Sequence, residues 1–143
     1  MKLLIISDIH GSSYYAKKIL EIKKRENPDK IVLLGDLYYH GPRNMISDFG
    51  LKDNLKLDIN GLKVFFTHGH KYNIDNLPEE KIDILIYGHF HTGFIKEKDG
   101  LIFANAGSIS LPKNDTKNSY LILDEKELIL KDLDGNIIDK KEL

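Results

Sequence analysis

Two short apolar runs set the architecture. Lys2 to Ser7 and Ile31 to Leu34 are each nearly continuous in apolar residues, and each breaks into a polar loop. Runs of this length without alternation suit strands buried on both faces, as in parallel sheets. Between them, Tyr15, Ala16, Ile19, Leu20 and Ile22 recur at helical spacing. Ser12 or Ser13 offers an N-cap, and Asn27-Pro28 stops the segment. Strand, helix and strand over residues 2–34 form a βαβ unit, with parallel strands and a right-handed crossover.

The pattern then changes. Leu55 to Ile59 and Leu62 to Thr67 flank Asn60-Gly61, the signature of a β-hairpin with a type I′ turn. Asp83 to Tyr87 is another apolar strand. Phe94 to Lys98 and Leu101 to Ala104 flank Asp99-Gly100 as a second hairpin. Ser119 to Leu123 should pair with Leu128 to Leu130, and Asp134-Gly135 turns the chain toward Ile137-Ile138. The C-terminal half therefore reads as a β-meander, and the Lys/Glu run at 139–142 as a solvated tail. The expected fold is α/β: a two-sheet β-sandwich flanked by helices, with a parallel βαβ start and antiparallel C-terminal hairpins. A chain of 143 residues can form this as one domain, residues 1–143, without disulfides or structural zinc.

All six histidines fall at predicted strand ends. They lie in Asp8-Ile9-His10-Gly11, in the loop from Gly35-Asp36 to His40-Gly41, in His68-Gly69-His70 and in Gly88-His89-Phe90-His91. Asp8 and His10, two apart in an extended segment, point to one side, and His89 and His91 repeat that spacing. Neighbouring strand ends lie about 5 Å apart. Asp36 therefore falls beside Asp8, and two such carboxylates repel unless a cation sits between them. A carboxylate bridging two metals about 3.5–4 Å apart would satisfy both. Read singly, Asp8 could cap the helix, Asp36 could be a turn residue, and the Gly-His-Phe-His stretch a solvent loop. Together they form a ligand set of nitrogen and oxygen donors, and with no cysteine in the chain thiolate is excluded.

The succession Asp-x-His, Gly-Asp, His-Gly-His and Gly-His-x-His resembles the calcineurin-like metallophosphoesterases, in particular their small bacterial and archaeal phosphodiesterases. His40-Gly41-Pro42-Arg43-Asn44 and Asn105-Ala106-Gly107-Ser108, followed by Pro112, are similar to further stretches of that branch. The resemblance implies that Asp8, His10, Asp36 and His91 bind one divalent ion. Asp36, His68 and His89 would bind a second, with Asp36 bridging. It implies hydrolysis of small phosphodiesters through a metal-bridged hydroxide. Manganese is the first metal expected, with iron, zinc, nickel and cobalt compatible with the same donors. Asp36, His40 and His70 are the expected catalytic residues, His40 and His70 by contacting substrate, and Arg43 can hold a phosphate oxygen. Asn105 and Ser108 are expected to pack and turn the backbone near the mouth.

One departure stands out. The family pattern continues from Gly-Asp through a helix and a third strand to Gly-Asn-x-Asp, whose asparagine is a ligand of the second metal. No such motif is present, and eleven residues separate Arg43 from Leu55. The expectation is that the helix–strand unit is missing, with water as the fourth ligand of the second ion ahead of the nearest substitutes, Asn44, Asp53 and Asn54. Ile31 to Leu34 would then be an exposed edge inviting self-association into a homo-oligomer. Loss of the asparagine also leaves open a catalytically weakened metal-binding scaffold or protein-interaction module of the same fold. A net charge of −1 argues against a nucleic-acid surface or a polybasic membrane patch. With no apolar stretch near about 18 residues and no signal-like N-terminus, a cytoplasmic enzyme is expected.

Overall fold

A computed structural model of the protein describes residues 1–7, 13–34, 49–50, 54–69, 71–110 and 115–143. The opening unit forms as the apolar spacing requires. Strand β1 (Leu3–Ile6) leads to helix α1 (Ser13–Glu26) and then to β2 (Lys30–Leu33), which pairs with β1 in parallel. Asn27 closes the helix with a left-handed φ of 49°, and its N–H bonds to the carbonyl of Lys23 at 2.9 Å. Lys23, Lys24 and Arg25 occupy the last turn, where cations suit the helix dipole.

Two sheets result. The first has the order β11-β10-β9-β1-β2-β3, where β3 is Phe49–Gly50, β9 is Ser119–Leu123, β10 is Glu127–Asp132 and β11 is Ile137–Glu142. The second has the order β4-β5-β6-β8-β7, from β4 (Asn54–Ile59), β5 (Leu62–Thr67), β6 (Ile84–Tyr87), β7 (Phe94–Lys98) and β8 (Leu101–Asn105). Alternation along each strand sorts side chains into layers. Leu3, Ile5 and Val32 meet Val64, Phe66, Ile84 and Ile86 between the sheets. Leu4, Ile6, Ile31 and Leu33 face the other way, onto Ile19 and Ile22 of α1. Phe65, Leu85, Tyr87 and Phe103 cover the outer face of the second sheet, against Tyr72, Ile74 and Ile82.

Both turn assignments hold. Asn60-Gly61 and Asp99-Gly100 carry paired positive φ angles of 53° and 87°, and of 52° and 81°, as a type I′ turn requires. Four expectations need correction. Leu20 lies outside the apolar stripe of α1 and is exposed. The C-terminal half is not a simple meander: β5, β6 and β8 pair in parallel. Strands buried on both faces gain nothing from a tight antiparallel turn, and β7 is displaced to the edge. Residues 139–142 belong to β11, paired with β10, rather than to a free tail. Their charges suit an edge strand that must resist further pairing.

The fourth correction removes the exposed edge expected at β2. β3 pairs with it in parallel, Val32 against Phe49 and Leu33 against Gly50. Counted from Leu34 rather than from Arg43, the connection exceeds the 10–12 residues a parallel return needs. The strand of the supposedly missing unit is therefore present, two residues long, and the edge argument for self-association falls with it. No helix among the described residues is long and apolar enough to cross a membrane.

Candidate metal centre

The carboxyl ends of β1, β2, β5, β6 and β8 gather at one end of the sandwich. Within each sheet, backbone bonds extend the pairing past the strand ends: Leu34 N–H to Ile6 O at 2.9 Å, Gly88 N–H to His68 O at 2.8 Å, and Ala106 N–H to Tyr87 O at 3.0 Å. Between the sheets, Ile109 N–H donates to Ser7 O at 3.3 Å. His68 Nδ1 lies 2.6 Å from Leu34 O. Ser7 precedes Asp8 and Leu34 precedes Gly35-Asp36. Asp8, His10, Asp36, His40, Arg43, Asn44, Asp53 and His70 themselves lie outside the described residues.

The Leu34 carbonyl can only accept a hydrogen bond, so His68 carries its proton on Nδ1. In the neutral ring the lone pair then lies on Nε2, the form in which imidazole binds a metal. That Nε2 lies 3.2 Å from Nδ1 of His89. Two nitrogens bound to one ion at about 2.0–2.1 Å stand about 2.8–3.0 Å apart at octahedral angles and about 3.3–3.4 Å apart at tetrahedral ones. The separation therefore fits two donors on one ion. Among the described residues no third histidine or carboxylate completes a group around one ion.

Glycine makes this approach possible. Gly69 follows His68 with φ of +115°, and a Cβ there would meet Gly88 O at 2.9 Å and His89 Cβ at 3.3 Å. No L-residue adopts that φ readily. On the other side, the buried Asn105 amide donates to Gly88 O at 2.8 Å, and its carbonyl accepts Gly107 N–H at 2.9 Å. Asn105 and Ser108 are thus backbone-fastening residues, as expected; Ser108 Oγ accepts from Ser110 N–H at 3.2 Å.

His89 and His91 depart from the simple i, i+2 picture. Both are left-handed, with φ of 67° and 59°, so strand alternation does not orient them. His89 is exposed while His91 is 6% exposed, and the His91 carbonyl accepts Thr116 Oγ1 at 3.4 Å. Asn54 is not brought to the centre. It pairs with Thr67 at the start of β4, on the face that carries Lys56 and Asp58, away from the first sheet. Beneath the loop, burial pushes the Tyr87 phenol up to about 12, so it stays neutral.

Sequence reasoning missed two contributors. The Leu34 carbonyl carries no side-chain signal. Gly50 ends a strand too short to leave a pattern; in sequence it is followed by Leu51-Lys52-Asp53, a Gly-Leu-x-Asp run that resembles the family's Gly-Asn-x-Asp, and residues 51–53 lie outside the described residues.

Fold and strand-end histidines together define an α/β sandwich of the metallophosphoesterase type. The profile described as the calcineurin-like phosphoesterase superfamily domain matches residues 40–128, and that of calcineurin-like phosphoesterase matches residues 1–70. The chain belongs to the calcineurin-like phosphoesterase superfamily, in the branch of small bacterial and archaeal enzymes. It is 28% identical to phosphodiesterase YfcE of Escherichia coli strain K12, over 90% of each chain. It is 30% identical to the probable metallophosphoesterase YsnB of Bacillus subtilis strain 168, over 86% of this chain and 83% of that one. The solved structure of Yfce, a phosphoesterase from E. coli, superposes with a TM-score of 0.86, at 27% identity, over 99% of this chain and 98% of that one. The alignment to the E. coli sequence spans 165 positions, more than the 143 residues of this chain. That relative therefore carries residues this chain lacks.

Proposed function

We propose that this chain is a metal-dependent phosphodiesterase of the cytoplasm, hydrolysing small phosphodiesters with two divalent ions. The observation that carries this reading is the His68–His89 pair: two imidazole nitrogens at 3.2 Å, one with its tautomer set by the Leu34 carbonyl at 2.6 Å. Family membership supplies the reaction class, and the E. coli relative is itself named a phosphodiesterase. Manganese is the proposed ion, and the nitrogen and oxygen donors are equally compatible with iron, zinc, nickel or cobalt.

In this proposal Asp8, His10, Asp36 and His91 hold one ion, and Asp36, His68 and His89 hold the other. When bound, the ions polarise the phosphate and lower the pKa of water. The chain's own residues do the rest. Leu34 O orients His68, Asn105 and Gly69 fix the loop that presents His89, and His40 and His70 contact the phosphate oxygens. Leucine at position 51 cannot replace an amide ligand, so the second ion is held more weakly than the first and turnover is reduced.

Hydrolysis of bis(4-nitrophenyl) phosphate tests the reading. Activity should vanish on chelation and return with Mn²⁺. Asp36→Asn should abolish it and lower binding of both ions, whereas His40→Ala should cost less. Full activity in the chelated protein or in Asp36→Asn would sink the proposal.

A further inference from the structure

Phe90 stands between His89 and His91 and is 46% exposed. Its backbone is pinned on both sides. Its N–H bonds to Gly88 O at 2.8 Å, and its carbonyl accepts Thr92 Oγ1 at 3.3 Å. The left-handed residues His89 and His91 flank it. The ring stands edge-on to Tyr87, with centroids 6.0 Å apart and planes at 84°, and edge-on to His89 at 5.2 Å and 76°. Tyr87 is itself buried, so one neighbour of the ring is part of the core. The other is a residue of the metal centre. The ring is thus steadied while nearly half of it meets solvent. Other large exposed apolar side chains, such as Tyr14, Leu77 and Ile137, lie elsewhere in the chain.

A phenyl ring held open in a loop of glycine, histidine and threonine loses hydrophobic stabilisation that a polar residue there would not forgo. It gains a use if something flat covers it. Aromatic groups attract at centroid separations of about 4.5–7 Å. The His89–Phe90 separation lies within that range, so a phosphate held at His89 places its ester substituent within reach of the Phe90 ring.

We propose that Phe90 is a specificity-determining residue: a stacking platform for a planar aromatic group, aryl or nucleobase, carried by the phosphodiester. This rests on the phosphodiesterase reading above and narrows its substrate class. The ring favours esters with a π-face over alkyl esters of equal charge. It does not touch the reacting bond.

Four anions read this directly, as competitive inhibitors of bis(4-nitrophenyl) phosphate hydrolysis with Mn²⁺ present. Phenylphosphonate is compared with methylphosphonate, and adenosine 5′-monophosphate with ribose 5-phosphate. Each pair shares its phosphoryl group and differs in the aromatic part, and the second pair tells a nucleobase from a simple aryl group. In the parent protein at least one aromatic member should bind about 5-fold or more tighter than its partner. The ratio should fall toward one in Phe90→Ala and Phe90→Leu, and persist in Phe90→Tyr and Phe90→Trp. Taking the ratio within each variant cancels any general loss of phosphate binding, and Phe90→Leu keeps the bulk if Phe90→Ala fails to fold. Ratios near one in the parent, or ratios unchanged in Phe90→Leu, overturn the proposal. If the protein hydrolyses nothing, the phosphodiesterase reading fails separately. Calorimetric titration of the same four anions into the Mn²⁺-loaded protein then reads the same ratios.

Discussion

Gly69→Ala is the perturbation that most directly tests how the centre is built. Gly69 has φ of +115°, and an added Cβ would lie 2.9 Å from Gly88 O, 3.1 Å from Tyr87 Cδ2 and 3.3 Å from His89 Cβ. Holding an L-residue at such a φ costs about 1–3 kcal/mol. The contact with Gly88 O adds about 1 kcal/mol or more, because that carbonyl is tied to the Asn105 amide at 2.8 Å and cannot simply retreat. If the loop keeps its place, stability falls by about 3 kcal/mol, a drop in Tm of about 10 °C for a domain of this size. If the loop yields, the His68 and His89 nitrogens move beyond the 3.2 Å that suits one ion. Stability is then partly recovered and affinity for Mn²⁺ falls instead. Urea denaturation and calorimetric metal titration on the same preparation separate the two routes. A variant within about 0.5 kcal/mol of the parent that also keeps its metal affinity would refute both.

Other substitutions probe separate parts of the argument. Asn105→Ala leaves Gly88 O with the Phe90 N–H alone and removes the Asn105 acceptor from Gly107 N–H, and should cost about 1–3 kcal/mol by urea denaturation. Leu51→Asn should tighten the weaker of two Mn²⁺ sites in a calorimetric titration; an unchanged isotherm would mean that position 51 does not face the ion. Glu26→Gln concerns the far end of α1, where the buried carboxylate accepts Tyr120 OH at 2.7 Å and Lys131 Nζ at 3.0 Å. Burial pushes the Glu26 carboxyl up, but the Tyr120 and Lys131 hydrogen bonds and the Lys131 and Lys2 charges hold it below the ordinary value. A depressed carboxyl stabilises the fold above its unfolded pKa, and that contribution is lost as pH falls through the folded value. The Gln variant should therefore lose about 2–3 kcal/mol at pH 7 and clearly less below about pH 4. An equal deficit at both pH values would rule out the charge as its source.

Much of the fold was legible because apolar spacing and turn chemistry are local signals. The βαβ unit follows from two unbroken runs around a helical stripe, and Asn60-Gly61 and Asp99-Gly100 specify their turns through positive φ alone. Pairing between distant strands has no such local marker. Nothing in Val64 to Phe66 or Ile84 to Ile86 distinguishes a parallel neighbour from an antiparallel one. Residues 139–142 read as a tail because an edge strand with charged residues lacks the apolar alternation that marks a half-buried one.

The centre divides along the same line. The proposed ligands are side chains, so His68, His89 and His91 stand out in the sequence. What orients them is written in backbone: a carbonyl at Leu34, left-handed φ at His89 and His91, a glycine at 69. The departure from the family pattern shows the consequence most clearly. An intact helix–strand unit does not fit between Arg43 and Leu55, which reads as a bare edge at β2. Two residues, Phe49 and Gly50, suffice to cover Val32 and Leu33, because a parallel neighbour needs only enough connecting chain to return, and that chain is present. The edge of the sheet and the amide ligand are therefore separable. Backbone pairing at Gly50 needs no particular side chain, whereas in the proposed centre the amide ligand would come from the residue after it, which is leucine. A chain can lose that donor and keep its sheet, so the cost of the change should appear in the affinity of the second ion and not in the stability of the fold.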